Sequence, residues 1–213
     1  MSQVAISGNA SGTGTLTIAA PNTNSNYTLT LPQATTTLVG TDATQTLTNK
    51  TIQGGAITSG TAVASTSGTS IDFTALPSWV KRITVMFSGV SLSGTAGLVV
   101  QIGSGSVTTS GYTSGGVTAI ASGSSSGGYS VTTGWQLNDA STAASLYNGS
   151  IFLVNISSNT WMESGTIANT VGTRAAISGG NVSIGGTIDR VRITTSNGTD
   201  TFDAGSINIM YEG

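Results

Sequence analysis

Six basic and eight acidic residues are the whole charged inventory of a chain of 213 residues that contains no histidine and no cysteine. Without those two residue types there is no Ser-His-Asp or Cys-His nucleophilic site and no ordinary zinc ligand set. The candidates for a carboxylate pair are Asp139, Glu163, Asp189, Asp200 and Asp203. Two carboxylates about 5–9.5 Å apart suffice for glycoside hydrolysis, but no motif holds two of these together. The same dispersion argues against calcium, even for the neighbours Asp200 and Asp203. The expectation is a protein that is not an enzyme and that carries neither metal nor cofactor.

Aromatic residues beside amides offer a different chemistry. Trp135 stands next to Gln136, Asn138 and Asp139, and Trp161 stands two residues before Glu163. An exposed indole stacks on a sugar face while nearby amides and carboxylates bond its hydroxyls, the design of a shallow glycan site. Tyr112 and Tyr129 lie in the uncharged, Ser/Gly/Thr-rich segment 103–134, where tyrosine among small polar residues suits an adaptable binding loop. The expected glycan or receptor contacts are therefore Trp135, Asn138, Asp139, Trp161, Glu163, Tyr112 and Tyr129. Core placement competes at both tryptophans, since large aromatics are mostly buried. Trp79, after Pro77 and leading into an apolar strand, reads as core or as packed beneath the preceding segment.

The chain is polar without being charged, with 37 Thr, 31 Ser and 30 Gly. Six scattered basic residues cannot cluster to displace counterions from phosphates, so no nucleic-acid partner is expected. A net charge of −2 gives no membrane-surface signal. The longest apolar runs, such as Gly97-Leu98-Val99-Val100 and Ile151-Phe152-Leu153-Val154, fall far short of a bilayer span. The opening residues MSQVAISGNASG have neither a basic nor an apolar region of the kind that makes a signal peptide. No Gly-rich loop is followed by Lys-Ser/Thr, so the runs at 103–105 and 123–128 read as turns and loops.

Period-two alternation is what must position these side chains. Ile83, Val85 and Phe87 face one way and Thr84, Met86 and Ser88 the other, as in a half-buried strand. Similar runs follow at Leu98–Ile102, Ile151–Ile156, Val182–Ile184, Ile188–Ile193 and Ile207–Tyr211. Asn148-Gly149 and Asn197-Gly198 stand between runs and read as hairpin turns. Val191 and Ile193 should point inward, leaving Arg190 and Arg192 outside for surface or interprotomer pairs with Asp189, Asp200 or Asp203. Helical periodicity is absent apart from a turn around Asp139–Ser145. Seven or more short strands with frequent turn signals predict an all-β fold, an antiparallel β-sandwich or jelly roll, over residues 71–213.

The first 70 residues are thinner. Val4 and Ile6, Leu16 and Ile18, and Leu29 and Leu31 suggest three short strands in a β-rich segment 1–31, ended by Pro32. From 32 to 70 the apolar residues Leu38, Val39, Leu47, Ile52 and Ile57 are sparse, and one copy buries too little to offset a backbone ordering cost of roughly 1–2 kcal/mol per residue. Several copies around one axis could share a narrow core; a single copy would be a flexible Ser/Thr-rich linker. Residues 58–70 carry almost no bulk and read as a boundary or connector.

Three stretches carry a resemblance. LTLP (29–32), TLVG (37–40) and TLTNKT (46–51) resemble a segment of bacteriophage tail fibres and related virion appendages that precedes a distal β-rich head. IDFTALPSWVKRITVMFSGV (71–90) and GTIDRVRITTSNGTDTFDAGSINIMYEG (186–213) are similar to the start and end of the C-terminal β-sandwich module of phage fibre proteins. The resemblance implies a virion location and a homotrimer, with Leu38, Val39, Leu47, Ile52 and Ile57 in an extended trimeric neck. Residues 1–31 would attach to other virion proteins, and the distal domain would contact a host-surface glycan or outer-membrane component. A capsid decoration or head-fibre protein, its N-terminal segment clamping the shell, is the competing expectation, and the short chain favours it.

Overall fold

The computed structural model describes residues 11–14, 23–26, 57–121, 127–139 and 142–213. The three expected N-terminal strands and the neck positions Leu38, Val39, Leu47 and Ile52 lie outside the described residues. The chain divides into two units, Met1–Thr51 and Ile52–Gly213. In the first, a local turn is held by the Ser25 N–H donating to Thr23 Oγ1 at 3.1 Å.

The second unit is all-β, with fourteen strands and no helix among the described residues. They are β1 (Ile57–Ser59), β2 (Val63–Ala64), β3 (Ser70–Thr74), β4 (Arg82–Leu92), β5 (Leu98–Ser104), β6 (Ser106–Val107) and β7 (Thr113–Ile120). There follow β8 (Gly127–Tyr129), β9 (Trp135–Gln136), β10 (Tyr147–Ser157), β11 (Thr160–Asn169), β12 (Arg174–Ser183), β13 (Arg190–Thr195) and β14 (Phe202–Glu212). The larger antiparallel sheet has the order β1-β14-β4-β10-β11-β12-β7-β8, with β2 also on β14; the smaller is β3-β13-β5-β6, with β9 also on β5. The core between them is a single cluster of Ile, Val, Leu and aromatic side chains.

Alternation does most of the sorting. Ile83, Val85 and Phe87 of β4 are buried, as are Val191 and Ile193 of β13, with Arg190 and Arg192 facing out. Thr84 faces outward yet is covered, since Phe152 and Met210 flank it in register. In β5 every residue from Leu98 to Gly103 is buried. Residues 135–136 pair with β5 as a neighbouring strand, and Gln101 Nε2 donates to Thr133 O at 2.7 Å.

Several sequence expectations need correction. Residues 57–70 are not a connector: β1 pairs Ile57 with Glu212, β2 pairs Val63 with Ile207, and Ser65 Oγ donates to Ala204 O at 2.7 Å. An edge strand is held by backbone bonds and needs no bulky side chains, which is why a stretch this small belongs to the sandwich. Asn148-Gly149 is not a hairpin turn but a bulge inside β10, where the register shifts and Gly149 takes φ 142°. Its Asn148 Oδ1 accepts the Gly89 N–H at 2.8 Å. Asn197-Gly198 does form a turn, but it carries the chain from the smaller sheet to the larger and so makes no hairpin. Within the stretch expected to turn, residues 142–145 do so, closed by Ser145 N–H to Thr142 O at 2.9 Å.

Trp79 is also displaced from expectation, being 42% exposed. A tight turn with the Val80 N–H on Pro77 O puts Val80 into the core and swings Trp79 outward, where it leans on Tyr211 at 5.8 Å between ring centroids.

Candidate functional site

The seven residues expected to contact a ligand separate into two groups. Trp135 and Trp161, 0% and 2% exposed, are core residues, and so is Tyr112. Trp135 sits on β9 opposite Val100 and meets Tyr112 edge-on at 5.0 Å. The Tyr112 hydroxyl accepts the Ile102 N–H at 2.8 Å, and burial pushes its phenol up to about 12. Trp161 lies between Asn155 and Val182 on the inner face of the larger sheet. Stacking on a sugar requires an open ring face. The expectation of exposed indoles at 135 and 161 is therefore overturned.

Glu163 shares that inner face and is 1% exposed. Ser178 Oγ donates to its Oε1 at 2.8 Å, its Oε2 has no partner among the described residues, and burial raises the carboxyl to about 7. Such a group is out of reach of a surface ligand. Tyr129 is half-buried with its hydroxyl donating to Leu137 O at 2.8 Å. Burial first, then the nearby Glu163 and Asp139 carboxylates, hold that phenol in its neutral form.

Asn138 and Asp139 do come together with other polar groups. Asn138 is fully used in holding the loop: its Oδ1 accepts the Leu98 N–H at 2.8 Å, and its Nδ2 donates to Asp139 O and to Tyr147 Oη. The Asp139 N–H donates to Thr118 Oγ1 at 3.3 Å. With Tyr147, Asn169 and Arg174 these residues surround a small, partly open cavity of about 10 Å³, about the room one water needs. Asn169 and Arg174 also line an adjoining open hollow of about 500 Å³, walled by Ala119, Ile120, Ala168 and Ala175.

Arg174 is the residue that sequence reasoning missed. It opens β12 opposite Asn169 of β11 and Ile120 of β7, so the register of three strands brings it to the hollow. Nothing in Val171-Gly172-Thr173-Arg174 signals this. The other described cations are occupied: Arg82 on Glu212 at 3.2 Å and over the Phe152 ring, Arg190 on Asp189 at 2.7 Å, Arg192 on Asp72 at 2.7 Å. Lys81 Nζ reaches Asn155 Oδ1 at 3.5 Å. Arg190 thus takes the expected partner, whereas Arg192 pairs with Asp72 and not with Asp200 or Asp203. Asp200 instead accepts bonds from Asn197 Nδ2 and the Ala96 N–H, which hold its carboxyl below the usual range.

A second opening, an uncharged groove of about 320 Å³, lies along Tyr112–Gly115, Ser130–Thr132 and Gly179–Gly180. No family model, curated protein or solved structure matches the chain.

Proposed function

We propose that this chain is a structural virion fibre protein of a bacteriophage, a tail fibre or fibre tip, whose distal β-sandwich binds the host cell surface. One observation carries the reading. The two segments that resemble the start and end of a fibre head, 71–90 and 186–213, supply paired strands: β3 lies on β13 and β4 on β14. They make a common frame, and strands β5 to β12, with their loops, are inserted between its halves in the chain.

On this reading the chain acts as a homotrimer through the neck residues Leu38, Val39, Leu47 and Ile52, and residues 1–31 join it to other virion proteins. Affinity per head is modest and is multiplied by linked copies that engage together. The ligand is a surface glycan or outer-membrane component met by loops and shallow hollows. Chemical conversion is no part of the proposal, since the described carboxylates are buried, paired or dispersed.

The test is to label intact virions with an antibody against residues 71–213 and locate the label by electron microscopy. Label on the tail or its fibres supports the proposal. The alternative reading is a capsid decoration or head-fibre protein whose N-terminal segment clamps the shell, and label spread over the capsid would establish that instead.

A further inference from the structure

We infer that the hollow at the β11–β12 turn binds the anionic group, carboxylate or phosphate, of an acidic surface saccharide, with Arg174 as its anchoring cation. The inference rests on the host-surface reading and specifies its ligand.

Donors and acceptors are out of balance at the hollow. A guanidinium carries five N–H donors in a fixed fork that matches carboxylate and phosphate oxygens. Arg174 lines the hollow, yet it makes no hydrogen bond or ion pair with any described residue, while the other three described arginines are all ion-paired. The groups around it do not need it. Asn169 Nδ2 donates to Ser145 Oγ at 2.8 Å, and its Oδ1 accepts the Gly172 N–H at 3.0 Å. Asn138 and Thr118 are likewise engaged with the loop. Asp139 lines the small cavity beside Arg174 and is not among the residues that wall the open hollow.

Backbone geometry at the turn is a separate observation. Thr173, the residue before Arg174, has φ 48°. A β-branched side chain is an outlier in that left-handed region, and strain of this kind is retained where the surrounding structure fixes a functional geometry. Here it sets the direction in which the chain enters β12 and hence where Arg174 stands.

The hollow also has the size and walls for a sugar ring. About 500 Å³ lies within the range of small-ligand sites, and Ala119, Ala168 and Ala175, aligned across three strands, leave a low apolar floor.

The experiment uses the full chain and three fluorescent oligosaccharide probes: polygalacturonate for carboxylate, glycerol-phosphate teichoic oligomer for phosphate, and dextran as the neutral reference. The expected result is salt-sensitive binding of at least one acidic probe and none of dextran, with the stronger acidic probe identifying the group. Arg174→Gln should weaken that binding at least about tenfold, Arg174→Lys should restore part of it, and Arg190→Gln should leave it unchanged. Absence of binding to both acidic probes, or binding that Arg174→Gln does not alter, overturns the inference. Adhesion of the labelled chain to host cells separates the two claims. Equal adhesion by wild type and Arg174→Gln removes only the anion site, whereas no adhesion by wild type removes the host-surface reading itself.

Discussion

Ser178 Oγ donates to Glu163 Oε1 at 2.8 Å across the β11–β12 pair, and the other oxygen of that carboxylate lies in the interior without a partner among the described residues. A lone buried carboxylate favours its neutral form, because one hydroxyl donor does not replace the water it has lost. Burial accordingly lifts Glu163 from 4.5 to about 7, with the Ser178 bond pulling weakly the other way.

The sign of the resulting pH dependence follows. The folded carboxyl titrates above the unfolded one, so its contribution to stability is complete below pH about 4.5 and is lost as pH rises through about 7, by on the order of 3 kcal/mol. Urea denaturation from pH 4.5 to 8 should show midpoints falling with pH for wild type and a flatter profile for Glu163→Gln. A Glu163→Gln profile as steep as wild type would exclude Glu163 as the cause.

Acrylamide should quench one tryptophan of three. Trp79 is the accessible indole, and Trp135 and Trp161 are sealed in the core. Trp79→Phe should abolish the quenchable fraction with little change in stability, whereas Trp161→Ala should cost about 3–5 kcal/mol by leaving a cavity. Efficient quenching in Trp79→Phe would contradict the packing described for the other two.

Two glycines that both have positive φ should respond differently to alanine. Gly89, at φ 62°, has open space where a Cβ would stand, so Gly89→Ala should cost only the conformational term of about 1–2 kcal/mol. Gly205, at φ 90°, faces the backbone of Gly89, and its Cβ would overlap it. Gly205→Ala should therefore lower the thermal midpoint distinctly more than Gly89→Ala; equal shifts would show that the β4–β14 crossing is looser than described.

The fork between Arg192 and Asp72 joins residues 120 apart in the chain, with Nε on Oδ1 at 2.7 Å and Nη2 on Oδ2 at 3.1 Å. Both side chains are about one-third exposed, so a double-mutant cycle should find a coupling of only about 0.5–1 kcal/mol. Arg192→Lys should lose much of it, since an ammonium cannot make both bonds in that geometry. A coupling near zero would make the pair incidental to the β3–β13 pairing.

Strands with strong apolar alternation are legible in the amino-acid sequence: Ile83, Val85 and Phe87 in β4, and Ile207 and Ile209 in β14. The strands β7, β11 and β12 are not, because Gly115, Gly116, Ser164, Gly165, Gly179 and Gly180 interrupt any periodic signal. Their pairing comes from backbone ladders, which sequence pattern does not report. Glu163 defeats the sequence reading for a related reason. Its chemistry suggests the surface, yet it keeps step with Trp161 and Ile167 at a spacing of two, and that parity is the available sign of burial. The Arg174 hollow has no such sign, since it is assembled by register from residues at 119–121, 168–170 and 173–175.

The pairing of Ile57 with Glu212 sets the first and last strands of the sandwich side by side, running in opposite directions. Topologically the head is then a loop whose two ends already meet at one edge. A circularly permuted head, with the end of β14 tied to the start of β1 by a short linker and the chain opened at Ser158-Asn159, would keep every strand pairing in both sheets.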